Sequence, residues 1–441
     1  MTHRGARMLR VEGLARVEGE GALRVGVEGG TVTDVELQIY EPPRFFEALL
    51  RGRAHTEPPD LTARICGICP VAYQMSACRA VEDACGVAVS GPIADLRRLL
   101  YCGEWIESHA LHVHLLHAPD FLGLDDAVAL ARADRASVER GLRIKQAGNA
   151  LVERIGGRAI HPVNVRLGGF HRAPDRAELA GLVPALRKAL DDALETAAWV
   201  GGFDYPDDRG DQPFLALSDP AHYAIDAGTP TVLRADGREA RPFPLTEFEQ
   251  RVVETQVSYS TALRSTLDGE RHLTGPLARY AVNGRQLSAP ALDAARAAGL
   301  GDIREGEVCR NPYRSIGVRA VETVYALGEA LRIIEAYRPP PRPYEPVPAR
   351  AGTGRGATEA PRGLLYHRYR LDADGLIEDA CIVPPTAQNQ GAIEDDLRRI
   401  AQAGLDLPDE ALTRCCERAV RNHDPCISCS THFLDLTVER K

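Results

Sequence analysis

The chain has 441 residues, 44% of them hydrophobic, and a formal net charge of −9 with Lys and Arg scattered along its length. That balance supports a substantial core and argues against a nucleic-acid partner, which would call for a basic face. No apolar run approaches the roughly 18 residues a bilayer span needs, and residues 1–12 show no hydrophobic secretory region, so a cytoplasmic protein with no membrane span is expected.

Between residues 9 and 40, Val, Leu and Glu alternate with a period near two, broken at Gly19, Gly21 and Gly29-Gly30. This predicts a small antiparallel sheet carrying Glu18. From Phe45 the spacing turns helical, and residues 45–53, 71–85, 94–116, 125–155 and 177–200 read as the helices of the body. Pro and Gly cluster over residues 201–244 around strand-like pieces such as Thr231-Val232-Leu233, which predicts a peripheral α+β insert. Helices are expected again at 245–267, 292–297 and 315–337. Arg338-Pro339-Pro340-Pro341-Arg342-Pro343 then opens a Pro- and Gly-rich stretch reaching Gly363, a composition that suits a loop. A hairpin over 364–371 and 376–383 and helices at 393–403 and 409–421 complete the reading. The expected class is mainly α: a long central helical bundle with a small N-terminal antiparallel sheet and peripheral α+β inserts. Its parts are residues 1–44, 45–337 and 338–441, closing into one integrated unit without internal repeats.

Two Cys-x-x-Cys pairs stand near opposite ends, Cys66-Gly67-Ile68-Cys69 and Cys426-Ile427-Ser428-Cys429. A zinc ribbon spaces its pairs by roughly 15 to 20 residues, because one hairpin presents all four sulfurs. Here the whole fold must bring them together. Four thiolates without histidine select a soft metal, with zinc, nickel and an iron-sulfur unit all admissible on the cysteines alone. The eleven cysteines are otherwise scattered through apolar or helical patterns, which suits reduced thiols and ligation better than a disulfide framework.

The flanks are more specific. Arg64-Ile65-Cys66-Gly67-Ile68-Cys69-Pro70 and Asp424-Pro425-Cys426-Ile427-Ser428-Cys429-Ser430-Thr431-His432 resemble the two cysteine signatures of nickel-iron hydrogenase large subunits. So do Arg16-Val17-Glu18-Gly19, Phe46-Glu47, Gly103-Glu104-Trp105-Ile106-Glu107-Ser108-His109 and Ala360-Pro361-Arg362-Gly363. The resemblance runs in the family's order over nearly the whole chain. It implies that Cys66, Cys69, Cys426 and Cys429 bind nickel, with Cys69 and Cys429 bridging to an iron that carries CO and two CN ligands. By the same resemblance Glu18 is the proton-transfer carboxylate, and Arg362 overhangs the metals, held by Asp120 and Asp424. Thr386 and Pro361 are expected as cofactor-binding neighbours, Thr386 donating its hydroxyl to a cyanide. Glu47 and His432 match ligands of a magnesium ion near the C-terminus, and residues 433–441 match the extension that a maturation protease removes.

Two departures bear on the reading. Glu20 stands where relatives often have His, and Tyr73 stands where many have His after the first pair. Tyr73, with Pro70 to Ser76, resembles the multi-subunit branch that exchanges electrons with NAD(P). No Gly-x-Gly-x-x-Gly follows a strand, so NAD(P) binding is expected on a partner. The resemblance implies a small subunit with iron-sulfur clusters, further flavin and iron-sulfur diaphorase subunits, and nickel-insertion factors during assembly. A hydrogen-sensing subunit with the same metals and a zinc-stabilised scaffold are the rival readings. His109, His112, His114 and His117 are expected as interior residues rather than ligands of a separate metal.

Overall fold

The computed structural model describes residues 7–236 and 240–431. At the centre lie the helices Pro70–Cys85, Gly91–Leu111, Arg135–Gly156, Val183–Gly201 and Ser315–Ala336, which share one hydrophobic core. Ser315–Ala336 is buried along most of its length, including the charged Arg319, Glu322 and Glu329, as a helix enclosed by others is. Gly91–Leu111 and Arg135–Gly156 cross closely because glycine faces glycine: a Cβ on Gly148 would stand 2.8 Å from the carbonyl oxygen of Gly103.

The N-terminal sheet forms as expected, with strands Arg7–Val11, Gly21–Glu28 and Thr31–Ile39 in sequence order. Its apolar face packs on the helices Pro385–Ala403 and Asp409–Asn422. The 201–244 region supplies a three-stranded sheet of Phe214–Ser218, Thr229–Leu233 and Ala240–Pro242.

Several helices differ from the sequence reading. The 125–155 segment breaks at Asp134, which caps the second helix by accepting from the Ser137 N–H. The 177–200 segment breaks near Gly181. Residues 94–116 form a helix only to Leu111, followed by a π-helical turn His112–His117. The 245–267 segment is mainly a hairpin of Val252–Gln256 and Leu263–Leu267 after a short helix.

A further correction concerns the Pro- and Gly-rich stretch. Its last part, Gly352–Ala360, is a strand that pairs antiparallel with Gly363–Leu371, which pairs in turn with Ile377–Val383. Ala360 faces Gly363, so Pro361 and Arg362 are the two apical residues of a tight hairpin. Arg362 is thereby projected inward from the end of a rigid ladder.

Candidate metal centre

Cys66 follows a 3-10 turn, and Cys69 is the N-cap of Pro70–Cys85, with Pro70 at the first helical position, where its missing N–H costs nothing. Cys426 and Cys429 lie on a loop that leaves Asp409–Asn422 through a left-handed Asp424, φ 49°. The chain ends meet here: Cys66 Sγ is 3.4 Å from Cys426 Sγ, and Cys69 Sγ is 3.4 Å from Cys429 Sγ. All four sulfurs lie within 4.8 Å of one another and are buried. Arg44 ties the two loops together, donating to the carbonyls of Ile65, at 2.7 Å, and Ser428.

The donor set fits a soft cation. Hydrogen bonds from Cys426, Cys429 and Cys69 pull the Cys66 thiol well below its usual range, whereas burial pushes Cys426 well up. Four buried sulfurs this close cannot all carry negative charge without a compensating cation, which a bound metal would supply. Tyr73, beneath the cluster, places its hydroxyl 3.5 Å from the Cys429 carbonyl, at the limit of a hydrogen bond.

Glu18 lies against the second pair. Its backbone forms a bridge with Cys426 and accepts from the Ile427 N–H at 3.0 Å. Its Oε2 accepts from Cys426 Sγ and from the Ser428 N–H, both at 3.1 Å. Glu20 is exposed, and its N–H donates to Glu41 Oε1 at 2.8 Å. The Ser428 hydroxyl donates to the same Glu41 oxygen at 3.3 Å.

Arg362 is buried, donating from Nε to the Asp424 carbonyl at 2.9 Å and from Nη2 to Asp424 Oδ1 at 3.2 Å. Its Nη1 has no partner among the described residues. Burial opposes the guanidinium charge, but Asp424 and the Cys426, Cys69 and Cys66 sulfurs outweigh it and hold Arg362 protonated. Asp120, expected on Arg362, is elsewhere. Its oxygens accept from Arg421, at 2.7 and 2.8 Å, and Oδ1 also from Arg16 at 2.6 Å, whereas the bonds Arg362 makes to a carboxylate among the described residues are to Asp424.

Thr386, in the first turn of Pro385–Ala403, accepts from the Cys426 N–H at 3.0 Å, leaving its own proton to donate. Pro361 is buried, with its carbonyl accepting from Arg279 Nη2 at 2.9 Å. Asn389 accepts from the Thr274 N–H at 2.8 Å, and Gln388 donates to the Leu364 carbonyl at 2.7 Å, fixing the hairpin next to its apex. Glu47 accepts from the Ile382 N–H at 2.7 Å, and burial pushes its carboxyl up to about 7. His432 lies outside the described residues.

The four histidines are buried, and among the described residues they form no metal-ligating group. His109 Nε2 lies 2.9 Å from Glu322, which also takes two bonds from Arg279. This buried network of Arg279, Glu322 and Glu359, in which Arg279 also donates to the Ala360 and Pro361 carbonyls, supports the hairpin and was not apparent in the sequence. Its signal was a set of charged residues inside apolar segments. Glu104 was visible only within a motif; it accepts from the Val71 and Ala72 N–H groups at 2.6 and 3.1 Å.

Comparison with known proteins agrees with this arrangement. The family model described as nickel-dependent hydrogenase matches residues 44–175 and 244–432. The chain is 32% identical to sulfhydrogenase 1 subunit alpha of Pyrococcus furiosus, over 97% of this chain and 98% of that one. It is 26% identical to the NAD-reducing hydrogenase HoxS subunit beta of Cupriavidus necator, over 97% and 95%. A solved NAD+-reducing [NiFe]-hydrogenase in the H2-reduced state superposes with a TM-score of 0.86 at 27% identity, covering 97% of this chain and 99% of that one. With its four converging cysteines, this chain belongs to the nickel-dependent hydrogenase family, as a large subunit.

Proposed function

We propose that this subunit reversibly splits molecular hydrogen into protons and electrons at a nickel-iron centre held by Cys66, Cys69, Cys426 and Cys429, and that a partner iron-sulfur subunit carries the electrons towards NAD or NADP. The observation that carries the reading is the four-sulfur cluster with Glu18 Oε2 3.1 Å from Cys426 Sγ. When bound, the metal pair with its CO and CN ligands supplies an open position at which the H–H bond is polarised.

The residues around that position do the rest. Glu18 accepts a proton at Oε2 from Cys426 Sγ, within direct transfer distance. Glu41, joined to the same loop through the Ser428 hydroxyl, is the next carboxylate outward. The Arg362 guanidinium, fixed by Asp424, stabilises negative charge developing beside the sulfurs. Thr386 offers its hydroxyl proton to a diatomic ligand, and burial of the cysteines excludes water from the chemistry.

The exit for electrons is supported by exposure. Gly67 and Arg64 reach the surface beside the buried Cys66, and the adjoining loop, joined through His161 Nδ1 to the Ala63 carbonyl at 2.7 Å, exposes Ile160 and Val163. An apolar patch beside a buried redox centre suits an iron-sulfur subunit. The named NAD-reducing relatives favour a flavin and iron-sulfur diaphorase beyond it. No described helix is long and apolar enough to cross a membrane, which accords with a cytoplasmic complex. Glu47, with His432, is the proposed magnesium site, and nickel-insertion factors and a protease acting beyond His432 are the proposed assembly partners.

Infrared spectroscopy of the purified complex tests the reading. One carbonyl and two cyanide bands are expected, with hydrogen-dependent dye reduction lost in Glu18→Gln while the bands remain. A blank window with zinc bound would make the cysteines structural.

A further inference from the structure

We propose that Asp120 is a positioning residue that, through Arg16 and Arg421, sets the register between the Glu18 segment and the Cys426 loop. The inference rests on the reading of this site as a hydrogenase centre and assigns Asp120 a task separate from holding Arg362.

Glu18 lies between two left-handed residues, Arg16 at φ 61° and Gly19 at φ 86°. A non-glycine residue stays in that region only where its surroundings over-determine it. The Arg16 side chain provides the determination: Nη1 donates to the Leu116 carbonyl at 2.8 Å and Nη2 to Asp120 Oδ1 at 2.6 Å.

On the other side, Arg421 grips Asp120 with Nε and Nη2 and donates from Nη1 to the Ala15 carbonyl at 3.1 Å. The Arg421 carbonyl accepts from the Asp424 N–H at 3.2 Å and lies 2.8 Å from His112 Nε2, which fixes the start of the Cys426 loop. One nearly buried carboxylate therefore joins the segment bearing the proton acceptor to the segment bearing the thiol donor. Without its charge, two largely buried guanidiniums would face each other. Burial and Arg421 already pull Arg16 below its usual range, and Glu417, 3.9 Å from Arg421, is too distant to replace Asp120. Arg362 makes its ion pair with Asp424.

The test uses the purified complex carrying Asp120→Asn, Arg16→Gln, both together, or Asp120→Glu. Nickel content, infrared bands, amide hydrogen exchange by mass spectrometry and hydrogen isotope exchange against dye reduction are measured in each. Asp120→Asn is expected to speed exchange of the Ile427 and Ser428 amides about tenfold, the population shift of a clamp weakened by a typical charged hydrogen bond. Isotope exchange should slow more than dye reduction, with the carbonyl band unmoved. Arg16→Gln should reproduce this, the double variant should add little, and Asp120→Glu should restore part of it.

Wild-type amide exchange in both single variants would overturn the proposal. So would a carbonyl shift in Asp120→Asn matching that of Arg362→Lys, which would return Asp120 to the support of that arginine. If Asp120→Asn does not assemble, Arg16→Gln decides alone. Absence of carbonyl and cyanide bands in the unaltered complex would refute the hydrogenase reading, while the amide exchange would still judge the clamp.

Discussion

Glu104 should be worth several kcal/mol to the first cysteine pair without touching a sulfur. The helix Pro70–Cys85 has Cys69 as its N-cap, and Cys69 makes no side-chain capping bond. The Val71 and Ala72 N–H groups would be orphans in a water-free core. Glu104, from the neighbouring helix, accepts one with each oxygen, at 2.6 and 3.1 Å. Burial pushes its carboxyl well above the ordinary range, while the Val71 and Ala72 N–H groups pull it back down. Glu104→Ala leaves two buried donors unpaired, at about 1–3 kcal/mol each, or about 2–6 kcal/mol together. Glu104→Gln keeps one acceptor and turns its NH2 towards the other N–H, costing about 1–3 kcal/mol. Equilibrium urea unfolding of the chain purified without nickel measures both, and nickel retention in the complex should fall in the same order. Variants within about 0.5 kcal/mol of the parent, or a Gln variant as damaging as Ala, would refute the capping argument.

Two further outcomes are expected. Glu359 is buried, accepting from the Leu217 N–H at 2.6 Å and from Arg279, and burial pushes its carboxyl up to about 7. A folded-state value above the unfolded 4.5 means the native chain binds the proton more tightly. Its stabilisation is present below pH 4.5 and lost as pH rises through 7, by at most about 3 kcal/mol. Unfolding followed from pH 4.5 to 7 should show a shallower loss in Glu359→Gln than in the parent, and equal slopes would count against it. Gly354→Ala would place a Cβ 2.1 Å from the Ala80 carbonyl oxygen and from the Ala84 amide nitrogen, forcing strand Gly352–Ala360 off helix Pro70–Cys85. A loss of about 3 kcal/mol is expected, whereas Gly328→Ala, in open space on a helix, should gain about 0.5–1 kcal/mol. Thermal unfolding of the two variants should move in opposite directions.

The helices of the body and the cysteine pairs were legible because each rests on a local pattern: an apolar stripe, or thiols three residues apart with distinctive flanks. Where local patterns compete, the reading failed for identifiable reasons. Val252, Val253, Leu263 and Leu267 fit a helical spacing, yet fold as a hairpin whose inner face packs on Phe248 and Tyr366. The glycines of Gly352–Ala360 suggested a loop, but Gly354 serves close contact of strand with helix.

The site was less legible than the fold because its geometry is held by partners distant in sequence, as Asp120 is by Arg16 and Arg421. One local trace remains, and no propensity scale would disclose it. Among the five non-glycine residues described with positive φ, Arg16, Phe45 and Asp424 each stand two positions before Glu18, Glu47 and Cys426. A left-handed residue turns the chain sharply, so the side chain two positions on can face inward from a segment that otherwise runs along the surface. Each such turn costs of order 1–3 kcal/mol locally and persists because the fold around it is rigid. The core built from the legible helices is therefore also what keeps these three proposed site residues in place.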